Sequence, residues 1–438
     1  MSSYRPTLDD IVALCKRRGF VFQSAEIYGG LNGVYDFGPL GTLIKNNIRD
    51  AWKKSISSPD TTMLFLEGAI LAPEAVWKAS GHIDNFNDPM IDCTNCKKRF
   101  RADDPDIDIN GPCPHCGKKA WTQARQFNMM FKTELGAVAG HDAYLRPETA
   151  QSIFINFKNV MSSNRVKIPF GIAQIGKSFR NEITPKQFLF RVREFEQMEM
   201  EWFCTAESSH QFFDYWCASR LAFYQSIGLT PDRIRLRSHE KDELSHYSCK
   251  TSDVEYEYPF GWKELEGIAH RGDFDLKQHS IHSGKDLSVF DEETQTSYTP
   301  NVVECSVGTG RLFLAILFDA YHIDTIDGEE RTVLKLHPSI APVKAAFLPL
   351  SKKLSEYMRP IYSAMVQAGF SVEFDESGSI GKRYRRQDEI GTPVCFTFDF
   401  ESINDNCVTV RDRDTLKQER IKIENIAKYL FEMLCINR

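Results

Sequence analysis

The chain has 438 residues, of which 42% are hydrophobic and 26% are charged, and this composition is typical of a globular protein with two or three domains. A formal net charge of −6 argues against a protein coated in positive charge, although local basic patches can still bind RNA. The first residues lack the apolar core of a signal peptide, and no apolar run approaches the ~18 residues of a membrane span. We therefore expect a cytoplasmic protein with no membrane partner.

The N-terminal part begins with two predicted helices. The apolar spacing predicts the first over residues 7–19, with Thr7 as its N-cap and Gly19 at its end. Residues 20–38 are rich in glycine and are predicted to be extended. The second helix, over residues 41–54, is the longer one.

Four of the twelve cysteines have the spacing of a zinc site. Cys93 and Cys96 form one pair, and Cys113 and Cys116 form another, in the pattern C-x2-C-x16-C-x2-C. Each pair can form a turn that delivers two thiolates to one tetrahedral ion, and four such ligands leave no open position. The pattern predicts a structural zinc ion in an insertion over about residues 90–120; four free thiols are the alternative. The other cysteines are expected to be small, buried side chains: Cys15, Cys204, Cys217, Cys249, Cys305, Cys395, Cys407 and Cys435.

Residues 179–201 contain an unusual array of arginines and carboxylates. We predict an antiparallel hairpin with residues 179–182 in one arm and residues from 188 onward in the other. Strand alternation from residue 191 places one polar set on a single face: Arg191, Arg193, Phe195, Gln197, Glu199 and Glu201. The water-facing side of an ordinary strand is the alternative. Arginine forks bind phosphate, a phenylalanine can stack on a base, and carboxylates can hold an amine or a metal ion. The array therefore suits a nucleotide beside a small ammonium-bearing substrate.

A glycine turn follows a short predicted strand near residue 305. Gly308 and Gly310 precede Arg311, which opens an apolar helix, and a helix N-terminus attracts anions. The pattern alone is weak, because a dinucleotide fingerprint would have a third glycine where Phe313 stands. A tight strand-to-helix turn with a surface arginine is the alternative.

The C-terminal part alternates strands and helices, which predicts an α/β unit. Strands are predicted at residues 344–348, 371–374, 394–398 and 407–411, and helices at 351–367 and 421–433. Its densest basic run covers residues 382–386. This run is interpreted either as a solvated loop or as a phosphate contact.

Taken together, residues 179–201 and 300–321 resemble motifs 2 and 3 of the class II aminoacyl-tRNA synthetases. Residues 28–38, 146–154 and 264–275 are in addition similar to segments of the homodimeric glycyl-tRNA synthetases, and the resemblance runs from about residue 8 to the C-terminus. One departure is Cys305, which stands where the family usually has a proline in motif 3.

The resemblance implies a fold and an activity. The expected fold is an α+β catalytic domain with an antiparallel sheet over residues 1–335, which carries the zinc-binding insertion, and a C-terminal α/β anticodon-binding domain over residues 340–438. The helix at residues 41–54 would build a homodimer interface. The expected reaction joins glycine to ATP, with Mg²⁺, as glycyl-adenylate and then transfers glycine to the 3′ end of tRNA(Gly). The alternatives are a catalytically inactive, synthetase-like nucleic-acid-binding accessory subunit and an enzyme that activates another acid.

The resemblance also assigns residues to the site. The catalytic residues would be Arg180, Glu304 and Arg311. The ATP-binding residues would be Arg180, Asn181, Glu182, Phe190, Arg191, Arg193, Phe195, Glu264, Leu265, Gly308, Gly310 and Arg311. The glycine-binding residues would be Arg101, Glu148, Phe195, Gln197, Glu199, Arg271, Glu304 and Ser306. Because glycine has no side chain to recognise, its site must grip the ammonium with carboxylates and exclude larger side chains by bulk. His82 and His270 are expected to be structural.

Overall fold

The computed structural model describes residues 4–436 except residues 138, 139, 141, 242, 245–247 and 327. The predictions for residues 1–3 and for the side chain of Cys435 fall outside the described part. Among the described residues, no helix is long and apolar enough to cross a membrane.

The helices are α1 Leu8–Arg18, α2 Pro39–Ile56, α3 Glu74–Ala79, α4 His82–Asn85, α5 Ala150–Asn164, α6 Ser209–Ser226, α7 Phe274–Ser283, α8 Thr309–Ala320, α9 Ser355–Gln367, α10 Ile380–Ile390, α11 Ser402–Asp405 and α12 Ile426–Ile436. Single 3-10 turns cover Glu26–Tyr28, Phe188–Phe190, Pro231–Arg233, Lys352–Leu354 and Ile423–Asn425.

The strands of the N-terminal part are β1 Val21–Gln23, β2 Tyr35–Phe37, β3 Met63–Phe65, β4 Leu71–Pro73, β5 Asn87–Asp92, β6 Arg99–Arg101, β7 Arg125–Asn128, β8 Phe131–Glu134, β9 Asp142–Leu145, β10 Phe170–Phe179, β11 Glu194–Cys204, β12 Ile234–Ser238, β13 Lys250–Tyr258, β14 Gly261–Gly272, β15 Val289–Asp291, β16 Thr296–Tyr298, β17 Asn301–Gly308, β18 Tyr321–Ile326 and β19 Glu329–Leu334. The C-terminal strands are β20 Ala345–Pro349, β21 Val372–Phe374, β22 Val394–Phe398, β23 Cys407–Asp412 and β24 Gln418–Lys422.

A seven-stranded sheet forms the centre of the N-terminal part, in the order β12-β13-β14-β17-β11-β10-β3. Its neighbours pair antiparallel except for β10 and β3, which are parallel. The predicted antiparallel sheet is therefore confirmed. Helices α2, α6 and α8 pack on one face and share a single apolar core with it, as Ile48, Trp216 and Leu312 illustrate. Helix α5 covers part of the opposite face, where Phe154 packs in a second core.

Local sequence signals account for several boundaries. At the start of α1, the Thr7 hydroxyl accepts from the Asp10 amide, and the Asp10 carboxylate accepts from the Thr7 amide, so that both sides of a capping box are formed. Gly19 ends that helix with φ +70°. In β11, Met198 and Met200 enter the core. Glu199 and Glu201 therefore point to the other face of the sheet, as the alternation predicted.

The arginine-rich hairpin arms are shorter than predicted. β10 ends at Phe179 and β11 begins at Glu194, so that residues 180–193 form the connection between them. Within it, Gln187 and Phe188 adopt φ values of +62° and +54°, which no strand accommodates. The prediction of strand structure at residues 180–182 and 191–193 is therefore wrong, although the Arg180 amide still bonds the Arg193 carbonyl at 2.9 Å.

The C-terminal part has its own five-stranded sheet, in the order β21-β20-β22-β23-β24, with the first three strands parallel and the last two antiparallel. Phe347, Phe396 and Leu430 belong to a separate apolar core. The predicted α/β unit is thus present.

Two predicted boundaries in this unit are wrong. The final helix begins at Ile426 rather than at residue 421, because Gln418–Lys422 pairs with β23 as an edge strand. Helix α9 begins at Ser355 rather than at residue 351, because Ser351 caps a 3-10 turn that precedes it.

The basic run at residues 382–386 lies on α10, so that its interpretation as a loop is wrong. Arg383 is buried and donates to the Pro349 carbonyl at 2.6 Å. Arg386 Nε donates to Asp375 at 3.0 Å. Lys382 is exposed, whereas Arg385 is half-buried, with its Nη1 buried and not hydrogen-bonded to a described residue.

The cysteines outside the zinc pattern are mostly buried, as predicted: Cys15, Cys204, Cys217, Cys305 and Cys395. Cys249 is exposed and Cys407 is partly exposed, so the prediction is wrong for these two.

Candidate functional site

A cavity of about 230 Å³ lies where the β10–β11 connection meets the β17–α8 turn. Its lining comprises Arg101, Met129, Arg180, Glu182, Leu189, Phe190, Arg191, Val192, Phe195, Gln197, Glu264, Ser306, Gly308, Gly310 and Arg311. Most residues of the predicted ATP site therefore surround one space.

Two arginines hold fixed positions over aromatic rings in this cavity. The Arg180 guanidinium lies 5.2 Å from the ring centre of Phe195 and 5.3 Å from that of Phe86, and its Nε donates to the Pro147 carbonyl at 3.1 Å. The Arg311 guanidinium lies 4.5 Å from the ring centre of Phe190. Cation–π contacts of this kind orient a guanidinium while leaving part of it free for an anion.

Arg311 also contacts an acid across the cavity. Its Nη1 lies 3.2 Å from Glu264 Oε2, and the Arg311 charge lowers the pKa of that carboxyl. Gly310 matters for a steric reason, because a Cβ there would come within 3.4 Å of the Leu189 carbonyl oxygen. The first turn of α8 therefore packs closely against the β10–β11 connection.

Glu182 is a buried acid at the other end of the cavity. Its Oε2 is buried and has no hydrogen-bond partner among the described residues. Burial raises the pKa of Glu182, against the opposing charges of Arg191 and Arg180. An acceptor aimed into a cavity without a donor is suited to a ligand amino group.

Arg101 belongs to the insertion that carries the four-cysteine cluster, yet it lines the same cavity. Its Nη1 lies 2.8 Å from Asp88, and its charge acts on Glu182. The structure therefore brings this predicted glycine ligand to the Glu182 side of the cavity.

A cluster of buried carboxylates lies next to the cavity, on strands β11 and β17. Gln197 Nε2 donates to Ser306 Oγ at 3.2 Å, and both residues line the cavity. The hydroxyls of Thr149 and Ser306 bond Glu199. Burial, with the Glu304 and Glu148 charges, raises the pKa of Glu199 to about 8.

Arg271 organises the remaining acids of this cluster. Its Nη1 donates to Glu304 Oε2 at 2.7 Å, and its Nε and Nη2 donate to the two Asp275 oxygens at 2.8 Å. Gln151 Nε2 bridges Asp275 and Glu148, at 3.3 and 2.9 Å. The predicted glycine residues Glu148, Glu304 and Arg271 are therefore joined in one network.

His82 extends the network to α4. Its Nε2 lies 3.4 Å from Glu148 Oε2. Burial opposes ionisation of Glu148, but the charges of His82 and Arg271 hold the pKa of Glu148 below its usual range. His82 thus touches a predicted ligand, whereas His270 is buried with neither ring nitrogen bonded to a described residue.

Three predicted ATP residues do not line the cavity. Arg193 donates to the carbonyls of Glu182 and Asn32, at 3.0 and 2.6 Å, and so braces the connection. The Leu265 side chain packs in the core. The Asn181 amide bonds the Met129 carbonyl at 2.8 Å.

The structure brings into the network four residues to which the sequence assigned no site role, namely Thr149, Gln151, Glu201 and Asp275, and it adds His82, which was expected to be structural. Thr149 and Gln151 flank Ala150, the first residue of α5, directly after Glu148, and Asp275 lies four residues after Arg271, just past the end of β14, so that proximity in the sequence could have indicated these three. The contact of His82 with Glu148 joins segments that are far apart in the chain, and no local sequence pattern predicts it.

The four predicted zinc ligands come together. Cys93 Sγ lies 3.6 Å from Cys116 Sγ, and Cys96 Sγ lies 3.8 Å from Cys113 Sγ. Tetrahedral sulfur ligands at ~2.3 Å from zinc are about 3.8 Å apart, so the cluster fits the ion. The residue after each pair, Lys97 or Gly117, has a positive φ, and its amide bonds the first cysteine's carbonyl at 2.8 Å. The two pairs therefore form equivalent turns.

Comparisons with known proteins agree with this geometry. A family model described as the tRNA synthetase class II core domain (G, H, P, S and T) matches residues 131–321, and one described as the anticodon binding domain matches residues 344–433. The chain is 51% identical to a glycine–tRNA ligase of Caldanaerobacter subterraneus subsp. tengcongensis, over 98% of both chains. It is 51% identical to that of Geobacillus thermodenitrificans, over 97% of both. It is 49% identical to that of Clostridium acetobutylicum, over 98% of this chain and 99% of the relative. The chain therefore belongs to the glycine–tRNA ligases, within the class II aminoacyl-tRNA synthetases.

Proposed function

We propose that the chain binds ATP in the 230 Å³ cavity and glycine in the adjoining carboxylate cluster, and that it charges tRNA(Gly) with the glycine. The observation that carries this proposal is the shared wall of the two sites. Ser306 lines the cavity and also bonds Glu199 of the cluster. A carboxylate group of glycine can thus face the phosphates while the ammonium group faces the acids.

The ATP roles follow from the charges around the cavity. Arg180 holds the α-phosphate, Arg311 holds the far phosphates, and Glu182 accepts the adenine amino group. ATP enters as its Mg²⁺ complex, and the base stacks on Phe195. Arg191 supplies further positive charge, and Arg193 supports the connection. In this reaction the protein mainly positions the reactants and neutralises the charge of the phosphates.

The glycine roles follow from the cluster. Glu199 and Glu304 accept the ammonium, with Glu148 and Ser306 beside them, and Arg271 keeps Glu304 in place. Any side chain on the substrate would have to enter this packed network. The packed network excludes larger side chains by bulk, and the carboxylates bind the ammonium group. Together these two effects select glycine.

The reaction then proceeds in two steps. A glycine carboxylate oxygen attacks the α-phosphorus of ATP, and the bond to the bridging oxygen breaks, which releases pyrophosphate. The carboxylate is already ionised at neutral pH, so that this step needs no general base. A terminal hydroxyl of tRNA then attacks the adenylate carbonyl and displaces AMP.

The remaining features support a wider assignment. We propose that residues 1–335 form the catalytic domain, that residues 340–438 bind the anticodon arm, and that α2 contributes to a homodimer. The four-cysteine cluster would hold one structural zinc ion that fixes the insertion. We also propose a reducing, cytoplasmic compartment, in which the cysteines outside the cluster stay as thiols.

The test is pyrophosphate exchange into ATP with each amino acid, followed by charging of tRNA(Gly). Exchange should depend on glycine and be negligible with alanine or serine. Equal exchange with alanine would contradict the glycine assignment. A protein that binds tRNA but shows no exchange with any amino acid would establish the accessory-subunit alternative.

A further inference from the structure

Glu201 is a buried acid that the proposed roles leave unused. It lies on the same face of β11 as Glu199 and directly opposite Glu304 of β17 in the strand register. Carboxylate oxygens of Glu199, Glu201 and Glu304 all lie within 4.8 Å of one another. Glu201 is 0% exposed, so that water does not solvate its charge.

The surroundings of Glu201 do not support a negative charge. Neither of its oxygens accepts a hydrogen bond from an N–H or hydroxyl donor of the residues that the structure describes. The charged groups that face it are Glu199 from β11, Glu304 from β17, Arg271 from β14 and Asp275 from α7. Arg271 donates hydrogen bonds to Glu304 and Asp275. Arg271 is thus the cation that faces the four carboxyl groups of Glu199, Glu201, Glu304 and Asp275, and it donates to Glu304 and Asp275.

A shared proton resolves this arrangement. Two carboxyl groups in contact, with no other donor for one of them, can be satisfied when that group keeps its proton and donates it to the other. Burial raises the pKa of Glu304, and the charge of Arg271 and the hydrogen bond from Glu201 oppose that rise. Burial in turn raises the pKa of Glu201 well above its ordinary value.

We propose that Glu201 is a positioning residue that stays protonated through the catalytic cycle and donates its O–H to the Glu304 carboxylate. Arg271 holds Glu304 from one side and Glu201 holds it from the other, so that Glu304 remains ionised and directed at the substrate ammonium. The inference rests on the proposed role of Glu304 in binding glycine. It assigns a lasting proton to Glu201, the acid of the cluster to which the proposed function gives no role.

Two substitutions in the full-length protein distinguish three possible roles of Glu201: a hydrogen-bond donor, an ionised ligand, or a side chain that only fills space. Glu201→Met keeps the approximate volume but donates no hydrogen bond. Glu201→Gln keeps the shape and can donate through its amide. We expect Glu201→Met to raise the KM for glycine in pyrophosphate exchange roughly ten- to hundredfold, as loss of a hydrogen bond to a charged group does. We expect Glu201→Gln to restore most of that loss, and the KM for ATP to stay nearly constant in both.

An infrared measurement provides a second readout that needs no activity. The difference spectrum of wild type minus Glu201→Gln should contain the carbonyl stretch of a protonated carboxylic acid at neutral pH. If that band is absent, Glu201 is ionised and the proposal is overturned.

The kinetic outcomes are equally decisive. If Glu201→Gln raises the KM for glycine as much as Glu304→Gln does, Glu201 is an ionised ligand of the ammonium or of a divalent cation. If Glu201→Met matches the wild type, Glu201 only fills space. Absence of glycine-dependent exchange in the wild type would instead refute the proposed function, and the infrared band would still report the protonation of Glu201.

Discussion

At the scale of single residues, the site separates groups by charge. Arginines border the cavity, while carboxylates gather around Arg271 behind Ser306. The cluster therefore attracts a cation and the cavity attracts an anion, and a zwitterion beside ATP satisfies both. Within this cluster, burial and the charges of Glu304 and Glu148 raise the pKa of Glu199 to about 8.

The first prediction concerns that proton. Below about pH 8 the free enzyme holds Glu199 in its neutral form, and the proton must leave before the carboxylate can pair with an ammonium. The KM for glycine should therefore fall as pH rises toward about 8, by up to tenfold per pH unit for a single proton. Glycine titrations of pyrophosphate exchange between about pH 6 and 8.5 measure this effect.

Glu199→Gln provides the control, because it cannot titrate and should make the KM for glycine high and independent of pH. A wild-type KM that is constant over the same range would show that Glu199 is already ionised in the free enzyme.

The second prediction concerns the two arginines of the cavity. Arg180→Ala and Arg311→Ala should each slow pyrophosphate exchange by ~10²-fold or more, since each removes charge stabilisation of the phosphates. Circular dichroism should be unchanged, because both side chains border the cavity rather than the core.

Arg165→Ala, at the exposed end of α5, is the matched control and should exchange at the wild-type rate. If the cavity variants do so too, ATP does not bind in this cavity.

At the scale of elements, the insertion with the four-cysteine cluster also contributes to the site, because its strand β6 places Arg101 at the cavity wall. The cysteine spacing predicted that the four cysteines come together, since short-range turn geometry determines their positions. The approach of Arg101 to Glu182 depends on the packing of β5–β7 against the β10–β11 connection, and no local pattern encodes that contact.

The third prediction uses this connection between the insertion and the cavity. Elemental analysis should find about one zinc ion per chain. Cys113→Ser should lower the zinc content and the melting temperature, and it should raise the KM for ATP through the displacement of Arg101. Cys249→Ser is the control, because Cys249 is exposed and outside the cluster. If the zinc content and the melting temperature of Cys113→Ser are unchanged, the four cysteines do not form a zinc site.

The fourth prediction concerns α10. Periodicity did not reveal this helix, because its basic residues interrupt the apolar pattern; the structure shows that Arg383 and Arg386 bond neighbouring main-chain and acidic groups. Within residues 382–386, Lys382 and Arg385 are therefore the candidates for contact with an RNA phosphate. The double variant Lys382→Ala/Arg385→Ala should weaken charging of tRNA(Gly) and reduce its salt slope by roughly two, while exchange without tRNA persists.

Arg386→Ala should lower stability without changing the salt slope, which makes it the control for lost charge. If charging and exchange fall together in the double variant, α10 supports the catalytic part instead of RNA.

At the scale of the whole molecule, buried charges connect the two parts of the chain. Arg331 of β19 donates to Asp388 of α10 at 3.1 Å, and Arg411 of β23 donates to both oxygens of the same carboxylate, at 2.9 and 3.0 Å. A second contact nearby joins Arg17 and Arg18 of α1 to Glu389. The two units could be predicted from the sequence but the contacts between them could not, since the contacting residues are up to 372 positions apart.

The last prediction compares these two contacts. Asp388 is fully buried, and Asp388→Asn would leave Arg331 and Arg411 without their shared counter-charge, at a cost of about 3–5 kcal/mol. Glu389→Gln breaks pairs whose arginines are partly exposed and should cost at most about 1 kcal/mol. Because the Asp388 carboxylate joins the two cores, its loss should uncouple them, and calorimetry of Asp388→Asn should show two unfolding transitions where the wild type shows one. Glycine-dependent exchange should survive in this variant while tRNA charging falls, since exchange needs only the catalytic core and charging needs both parts held together. One unshifted transition in both variants would mean that apolar packing alone, through Leu336 and Ile390, holds the two parts in place.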